Sequence, residues 1–211
     1  MSFMSYGRLF GFSRAGQRPE AFMPLNFRPK LDKIVELLLY LAHRYPGADK
    51  YQAVKFFYLA DREHLARYGR PITYDNYFAL WYGPVASKTL DLLEGDKRVF
   101  KEAMIDALPF KTAAGKKNGS DTIFISDPGR AVNFDLFSKS DVRVFDEVLA
   151  KYRDASFNDL MKLTHEHAAY KNAWGSRRKG ERAEMYYEEM IDDEKKRAAL
   201  IEDLDPVSAN M

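Results

Sequence analysis

The sequence has 211 residues, 46% of them hydrophobic and 14% aromatic, and this composition excludes an intrinsically disordered chain. Lysine and arginine number 33 against 31 aspartates and glutamates, so the net charge of +2 gives no reason to expect a general nucleic-acid binder. The sequence contains no cysteine, which excludes disulfides, thiolate catalysis and cysteine-ligated metal sites.

The first 28 residues are punctuated by glycine and proline and show no hydrophobic period, so we predict an N-terminal arm. Residues 1–30 hold five basic and one acidic side chain, whereas residues 181–211 hold four basic and ten acidic ones. The arm either packs on its own domain, docks on a partner, or reflects a misassigned start site. If it docks, its aromatic side chains are the first candidate anchors: Phe3, Tyr6, Phe10 and Phe12.

The sequence favours a cytoplasmic protein without a membrane segment. No apolar run approaches the roughly 18 residues that a membrane span needs, and the longest covers only residues 37–42. The first 16 residues lack the apolar core of a secretory signal.

Two helices follow the arm. Apolar residues recur at helical spacing over residues 31–44, between Pro29 and Pro46. A second helix is predicted over residues 49–68, with Asp49 as N-cap and Gly69 just after its end. Its middle is apolar nearly all round, which predicts a central, buried helix.

The next stretch predicts extended chain over residues 72–82, with a strand at 78–82 whose Trp81 and Tyr82 pack on a sheet. Gly83 and Pro84 are expected to break this strand, and a short helix over 86–94 ends at Gly95.

Further along, residues 109–112 and 122–126 predict a hairpin around a loop at 113–121. Ser138 and Ser156 resemble N-caps of helices ending near 153 and 165, and a last charged helix is predicted over 181–201. The predicted fold class is mainly α (α+β): a compact helical domain with a small antiparallel sheet or hairpin between helices. The predicted divisions are an arm at 1–28, a domain at 29–175, and a charged C-terminal helix and tail at 176–211.

Asp61 is the most informative single residue. On a helical projection it falls in the middle of the apolar stripe of the second helix, and a carboxylate there must be paired or hydrogen-bonded. The favoured interpretation is structural: it accepts backbone N–H groups from a following glycine–proline turn, or pairs with Arg70. A general base and a partner contact are the alternatives.

Catalytic and metal sites find little support in the sequence. His165 and His167 are two apart and so lie on different sides of a helix, and no Gly-x-Ser-x-Gly element is present. The loop at 115–120 lacks the ending of a phosphate loop. We therefore expect no cofactor and no metal, and we expect nucleic-acid binding to be weak or absent.

Three stretches of sequence, residues 55–64, 68–72 and 77–85, together with Leu163-Thr164-His165 and Ala173-Trp174, resemble the Panacea domain of SocA-like antitoxins and phage-associated proteins. The resemblance covers about residues 30–175. Its motif residues are interpreted as scaffold, because glycine and proline fix backbone angles and a buried aspartate satisfies donors. These residues are Lys55, Tyr58, Asp61, Gly69, Arg70, Pro71, Tyr77, Gly83, Pro84, Thr164, His165 and Trp174.

The resemblance implies a non-catalytic antitoxin that binds and neutralises a protein toxin encoded beside it. Partner specificity is then expected on the less constrained parts: the arm, the hairpin loop with Lys116 and Lys117, and the C-terminal helix with Met190. The alternatives are an adaptor that delivers a client toxin to an ATP-dependent protease, a DNA-linked regulator of its own operon, and an enzyme built on Asp61 and a histidine. A homo-oligomer also stays open.

Overall fold

The structure is a computed structural model that describes residue 25, residues 27–177 and residues 182–208, with side chains up to residue 202. Within these residues the chain forms eight α-helices, two short 3-10 helices and five strands in two antiparallel sheets. The predicted class, mainly α with α+β character, is confirmed. The expectation of one small antiparallel sheet or hairpin was too simple, because the strands form two separate small sheets.

The first two helices match their predictions. Helix α1 spans Leu31–Arg44 and α2 spans Lys50–Tyr68. Asp49 is the N-cap of α2 and forms a capping box with Gln52, and Gly69 ends the helix in the left-handed conformation at φ 70°. The predicted burial of α2 is also confirmed, since the helix packs against neighbours on several sides.

The strand after α2 is earlier than predicted. Strand β1 spans Tyr77–Leu80, residues 81 and 82 form the turn, and β2 spans Gly83–Ala86. The expectation that Gly83 and Pro84 interrupt the strand was wrong, because both lie within β2. Helix α3 at Ser87–Leu93 was predicted, whereas α4 at Lys97–Glu102 was not.

The predicted hairpin exists, but its strands are longer than expected. Strand β3 spans Phe110–Lys117 and β4 spans Ser120–Pro128, so most of the predicted loop at 113–121 is strand. The turn consists only of Asn118 and Gly119, at φ 52° and 82°. Asn-Gly favours this tight hairpin turn, and that signal was overlooked.

Three helices follow. Helix α5 spans Lys139–Tyr152 and α6 spans Phe157–His165, and each begins with the predicted serine N-cap, here part of a capping box. Helix α7 spans Ala168–Ser176 and was not predicted.

The C-terminal segment corrects the predicted helix at 181–201. Strand β5 spans Ala183–Met185, a 3-10 helix spans Tyr187–Met190, and α8 spans Glu194–Ser208. Strand β5 pairs with β1, giving the first sheet the order β2-β1-β5. A sequence interpreted as a charged helix therefore contributes an edge strand that pairs with β1 and packs against α7.

The core lies around α2, which packs against α5, β2 and α3. The end of the predicted arm belongs to this core: Leu25 and Phe27 are each 5% exposed, and the Phe27 ring meets the rings of Tyr74 and Tyr187 edge-on. In the described ranges, no helix combines the length and the apolar character that crossing a bilayer requires.

Candidate protein-binding surface

Asp61 holds the chain that leads from α2 into β1. One carboxylate oxygen accepts the N–H groups of Ile72 and Thr73 at 2.8 and 2.9 Å. The other accepts the hydroxyls of Thr73 and Tyr77 at 2.5 and 2.9 Å. The carboxylate thus accepts backbone N–H groups from the turn, as the structural interpretation expected. Its alternative, a pair with Arg70, was wrong, since Arg70 binds another aspartate.

A second buried carboxylate, Asp75, lies beside the first. It accepts the N–H groups of Lys88 and Thr89 at 2.8 and 2.9 Å and the Thr89 hydroxyl at 2.8 Å, which fixes the start of α3. The Tyr187 hydroxyl donates to the Asp75 carbonyl oxygen at 2.7 Å and reaches Asp61 at 3.4 Å. Tyr187 therefore ties the C-terminal segment to the centre of the fold.

These two aspartates are surrounded by neutral donors. We call them, with Thr73, Tyr77 and Tyr187, the Asp61 centre. Burial raises the pKa of Asp75 to about 7, although hydrogen bonds lower it and the nearby charge of Asp61 raises it further. Burial also raises the pKa of Asp61 above its usual range. The centre therefore favours a carboxyl that holds its proton near neutral pH.

Asp141 lies in a different environment, which we call the Asp141 cluster. Its oxygens pair with Lys33 at 2.8 Å, Arg70 at 2.7 Å and His64 at 3.1 Å, and accept the Ser138 N–H at 3.1 Å. Burial alone raises the pKa of Asp141, but the hydrogen bonds from His64, Lys33 and Ser138 outweigh it and hold the pKa well below its usual range. Asp141 is also the third residue of α5, so it joins that helix to α1 and to the end of α2.

The buried side chain of Lys55 requires a glycine at position 83. Lys55 is wholly buried, its ammonium donates to the Pro84 carbonyl at 2.7 Å, and burial lowers its pKa well below the usual value. Gly83 has φ +100°, and a Cβ there would lie 2.8 Å from both the Lys55 nitrogen and the Thr164 hydroxyl oxygen. Only glycine fits between them, so the Gly83-Pro84 pair is a packing element of β2.

The histidines have separate roles. Tyr58 and the Nδ1 atom of His167 are 3.0 Å apart, and burial, followed by the charge of Arg62, lowers the pKa of His167 to about 4. Neutral His167 therefore shares a hydrogen bond with the Tyr58 hydroxyl. His165 stacks on Tyr170 at 4.3 Å, with burial and the charge of Lys55 lowering its pKa.

Two aromatic side chains are exposed at the turn between β1 and β2. Trp81 is 69% exposed and Tyr82 55% exposed. The prediction that they pack on the sheet was wrong, because β1 ends at Leu80 and leaves both residues in the turn. Trp81 meets the Trp174 ring edge-on at 5.8 Å, and Tyr82 meets the Phe157 ring at 5.3 Å. We call Trp81, Tyr82, Phe157 and Trp174 the aromatic surface.

The backbone around this turn is held from three directions. The Tyr170 hydroxyl donates to the Leu80 carbonyl at 3.0 Å, that of Tyr51 reaches the Tyr82 carbonyl at 3.4 Å, and Lys55 holds Pro84. The exposed rings are therefore presented on a fixed backbone, which lowers the entropic cost of binding.

A cation adjoins the aromatic surface. The Arg177 guanidinium lies over the Trp174 ring, 3.5 Å from its centroid. Tryptophan, tyrosine and arginine are the residues that most often dominate binding energy at protein interfaces.

The other predicted partner-binding residues divide into three groups. The arm candidates Phe3, Tyr6, Phe10 and Phe12 lie outside the described residues. Lys116 and Lys117 are exposed on β3, but Lys117 also pairs with Asp49 at 2.6 Å. Met190 is 1% exposed and packs in the core, because its 3-10 helix lies against α2 and α7, so its side chain does not face a partner.

The family-motif residues converge within the fold. Gly69 ends α2, Arg70 turns the chain by donating to the Pro71 carbonyl, and Thr164 donates to Leu160 within α6. Lys55, Asp61 and Thr164 use their polar atoms on the backbone and on neighbouring hydroxyls, whereas Arg70 also binds Ser138 and Asp141. The scaffold role of the motif residues stays a prediction. Among the described residues, no group of acidic and histidine side chains has the arrangement of a metal site.

Sequence reasoning missed Asp75, Asp141 and Tyr187. Asp141 had a signal, since Ser138 and Asp141 form a capping-box pattern, but its side-chain partners Lys33, His64 and Arg70 come from distant parts of the chain. Asp75 and Tyr187 have no local signal, because their partners are set by the docking of α3 and of the C-terminal segment.

Comparison with known proteins gives one result. The family model described as "Antitoxin SocA-like, Panacea domain" matches residues 54–171, which is more than half of the chain. No curated protein and no solved structure matches the sequence. The matched span runs from α2 into α7 and includes Asp61, Gly83 and three residues of the aromatic surface, Trp81, Tyr82 and Phe157, whereas Trp174 lies just beyond it.

Proposed function

The chain belongs to the SocA-like antitoxin family with the Panacea domain, and from that premise we propose that it neutralises a protein toxin by binding it directly, without catalysis. The partner we propose is the product of the adjacent reading frame. The observation that carries the proposal beyond family membership is the exposed aromatic surface on a well-anchored turn.

The exposure of Trp81 and Tyr82 supports a binding role. Large aromatic side chains cost free energy when they face water, and contiguous exposed apolar groups mark interaction sites. Trp81 stands next to Trp174, whose ring carries Arg177, and Tyr82 stands next to Phe157, so the surface has the composition of an interface centre. Tight neutralisation needs about 800 Å² of buried surface on each partner, so this surface is the proposed centre of a larger interface.

The division between scaffold and surface also supports binding. The Asp61 centre and Lys55 are buried and hydrogen-bonded inside the fold, whereas the aromatic rings project from it. A buried, hydrogen-bonded core that carries a well-anchored exposed turn suits a protein that acts by occupying a partner's surface.

The test is growth of a bacterial host that expresses the adjacent reading frame, with and without this chain. We expect the neighbour to arrest growth, the full chain to restore it, and the two proteins to co-purify. Trp81→Ala combined with Tyr82→Ala should weaken the complex at least about 100-fold, as expected for hot-spot residues. A harmless neighbour, or rescue without a complex, would overturn the proposal.

The matched control is Phe134→Ala. Phe134 is an aromatic residue 52% exposed on the 3-10 helix before α5, away from the β1–β2 turn in the chain. Its replacement should leave rescue unchanged. The level of the neighbour's product, followed by immunoblot, separates the mechanisms, because sequestration leaves it constant and delivery to a protease lowers it.

A further inference from the structure

Strand β3 has a free edge in the described part of the chain. The second sheet has only two strands, and β4 is closed on its outer side by residues 47–49, where the Ile125 N–H donates to the Ala48 carbonyl and the Gly47 N–H to the Ile125 carbonyl. On β3, residues 111–114, 116 and 117 are exposed. An open edge of this length is a template for another strand.

The register identifies which backbone groups face outward. Ile125 directs both its N–H and its carbonyl away from β3, and its cross-strand neighbour is Thr112. In an antiparallel pair the hydrogen-bonding direction alternates, so Thr112, Ala114 and Lys116 also direct these groups away from β4. Ala113 and Gly115 instead bond to β4.

The other sheet shows how a closed edge is built. In β2, Pro84 has no N–H to offer, and Lys55 already occupies its carbonyl. Strand β5, at the other edge of that sheet, is only three residues long. Strand β3 has eight residues, no proline, and small side chains at Thr112, Ala113 and Ala114, so a second backbone can approach it closely.

The charges on β3 indicate which kind of strand its free edge would bind. Lys111, Lys116 and Lys117 are its only charged residues, and Lys111 and Lys117 already pair with Asp127 at 3.6 Å and with Asp49 at 2.6 Å. A second copy of this chain would bring only lysines to this edge and no carboxylate for Lys116, and like charges opposite each other destabilise a sheet. An incoming strand with carboxylates at alternate positions would instead be attracted, above all beside Lys116.

We propose that β3 binds an extended, acidic segment of the protein partner by strand addition. The inference rests on the proposed function for the identity of that partner, but the edge itself is tested separately. Strand addition uses backbone hydrogen bonds for affinity and alternate side chains for specificity.

The experiment measures amide hydrogen exchange of the full chain by NMR with two probes. The first is the product of the adjacent reading frame. The second is a panel of ten-residue peptides that alternate glutamate with valine or threonine, beside a matched panel with lysine in place of glutamate. We expect exchange at Thr112, Ala114 and Lys116 to slow at least about tenfold with an acidic probe, while Ala113 and Gly115 change little.

Three variants sharpen the test. Ala114→Pro removes an outward N–H that no bond to β4 uses, and should weaken binding at least about tenfold. Ala114→Val enlarges the same side chain but keeps the N–H, and should bind within about twofold of the parent. Lys116→Glu leaves the backbone intact and should reverse the preference between the acidic and basic panels.

The outcomes separate this inference from the proposed function. If the neighbour's product binds and is neutralised but neither probe gives the alternating pattern, strand addition is wrong and the proposed function stands. If the neighbour's product does not bind but the acidic peptides give the pattern, the edge is a binding site and the proposed function is wrong. Equal binding by Ala114→Pro and Ala114→Val would overturn strand addition whichever probe is used.

Discussion

The Asp61 centre and the Asp141 cluster each bury aspartate side chains at a junction of helices, yet they stabilise the fold in opposite ways. Asp61 and Asp75 meet neutral N–H and O–H donors and have raised pKa values. Asp141 meets Lys33 and Arg70 and has a lowered pKa. Burial alone does not decide the charge of an aspartate, because the charges of its neighbours determine whether desolvation is offset.

The largest loss of stability is expected when Asp61 is replaced. Asp61→Ala leaves two backbone N–H groups and two hydroxyls without their acceptor in the core, and should lower the free energy of unfolding by about 3–5 kcal/mol. Denaturant unfolding of the full chain measures it. Asp61→Asn keeps one acceptor oxygen and should cost clearly less. Equal losses in the two variants would show that the hydrogen bonds are not what stabilises this junction.

A smaller loss is expected at Asp141. Asp141→Ala takes the carboxylate away from Lys33, Arg70 and His64 and removes one half of a capping box, and should lower the free energy of unfolding by about 2 kcal/mol. Lys33 and Arg70 are partly exposed, so water can solvate them once the carboxylate is gone. The same denaturant unfolding measurement gives this loss of stability. Asp159→Ala, in the exposed capping box of α6, is the control. A loss at Asp141 as large as at Asp61 would contradict the comparison.

The smallest expected change is in how stability depends on pH. This dependence has opposite signs in the Asp61 centre and in the Asp141 cluster. The folded pKa of Asp75, about 7, lies above its unfolded value, so its contribution is full below about pH 4 and is lost as pH rises toward 7. The folded pKa of Asp141 is lowered, so its contribution is present above about pH 4 and is lost in acid.

Asp75→Asn isolates the first of these contributions. Between pH 4 and 7, wild-type stability should fall relative to Asp75→Asn by at most about 1.4 kcal/mol per pH unit, the value for one proton. Unfolding curves at several pH values, with His167 present in both proteins, give the difference directly. Parallel curves would show that Asp75 releases its proton at its ordinary pKa.

Local signals predicted the helices well. Asp49, Gly69, Ser138 and Ser156 mark helix ends through their own backbone and side-chain chemistry, and the structure has helices bounded at each. The hairpin turn has an equally local signal, since Asn118-Gly119 is sufficient to place it.

Signals that depend on distant partners were missed. Nothing in the charged sequence around residue 184 distinguishes a strand from a helix, and pairing with β1 decides it. The exposure of Trp81 follows from where β1 ends, which is set by its pairing with β2 up to Leu80 and Gly83. The division at residue 176 stays a prediction, although β5 joins the sheet from beyond it.

The sequence by itself determined the mainly helical class, the ends of its main helices, the need to satisfy Asp61 and the resemblance to an antitoxin family, because each depends on residues close in the chain or on motif identity. The tertiary structure alone decided which donors Asp61 receives, which cations reach Asp141, and which rings and strand edge face water. The physical reason is that hydrogen bonds, charge pairing and burial depend on distances between chain segments that lie far apart in sequence.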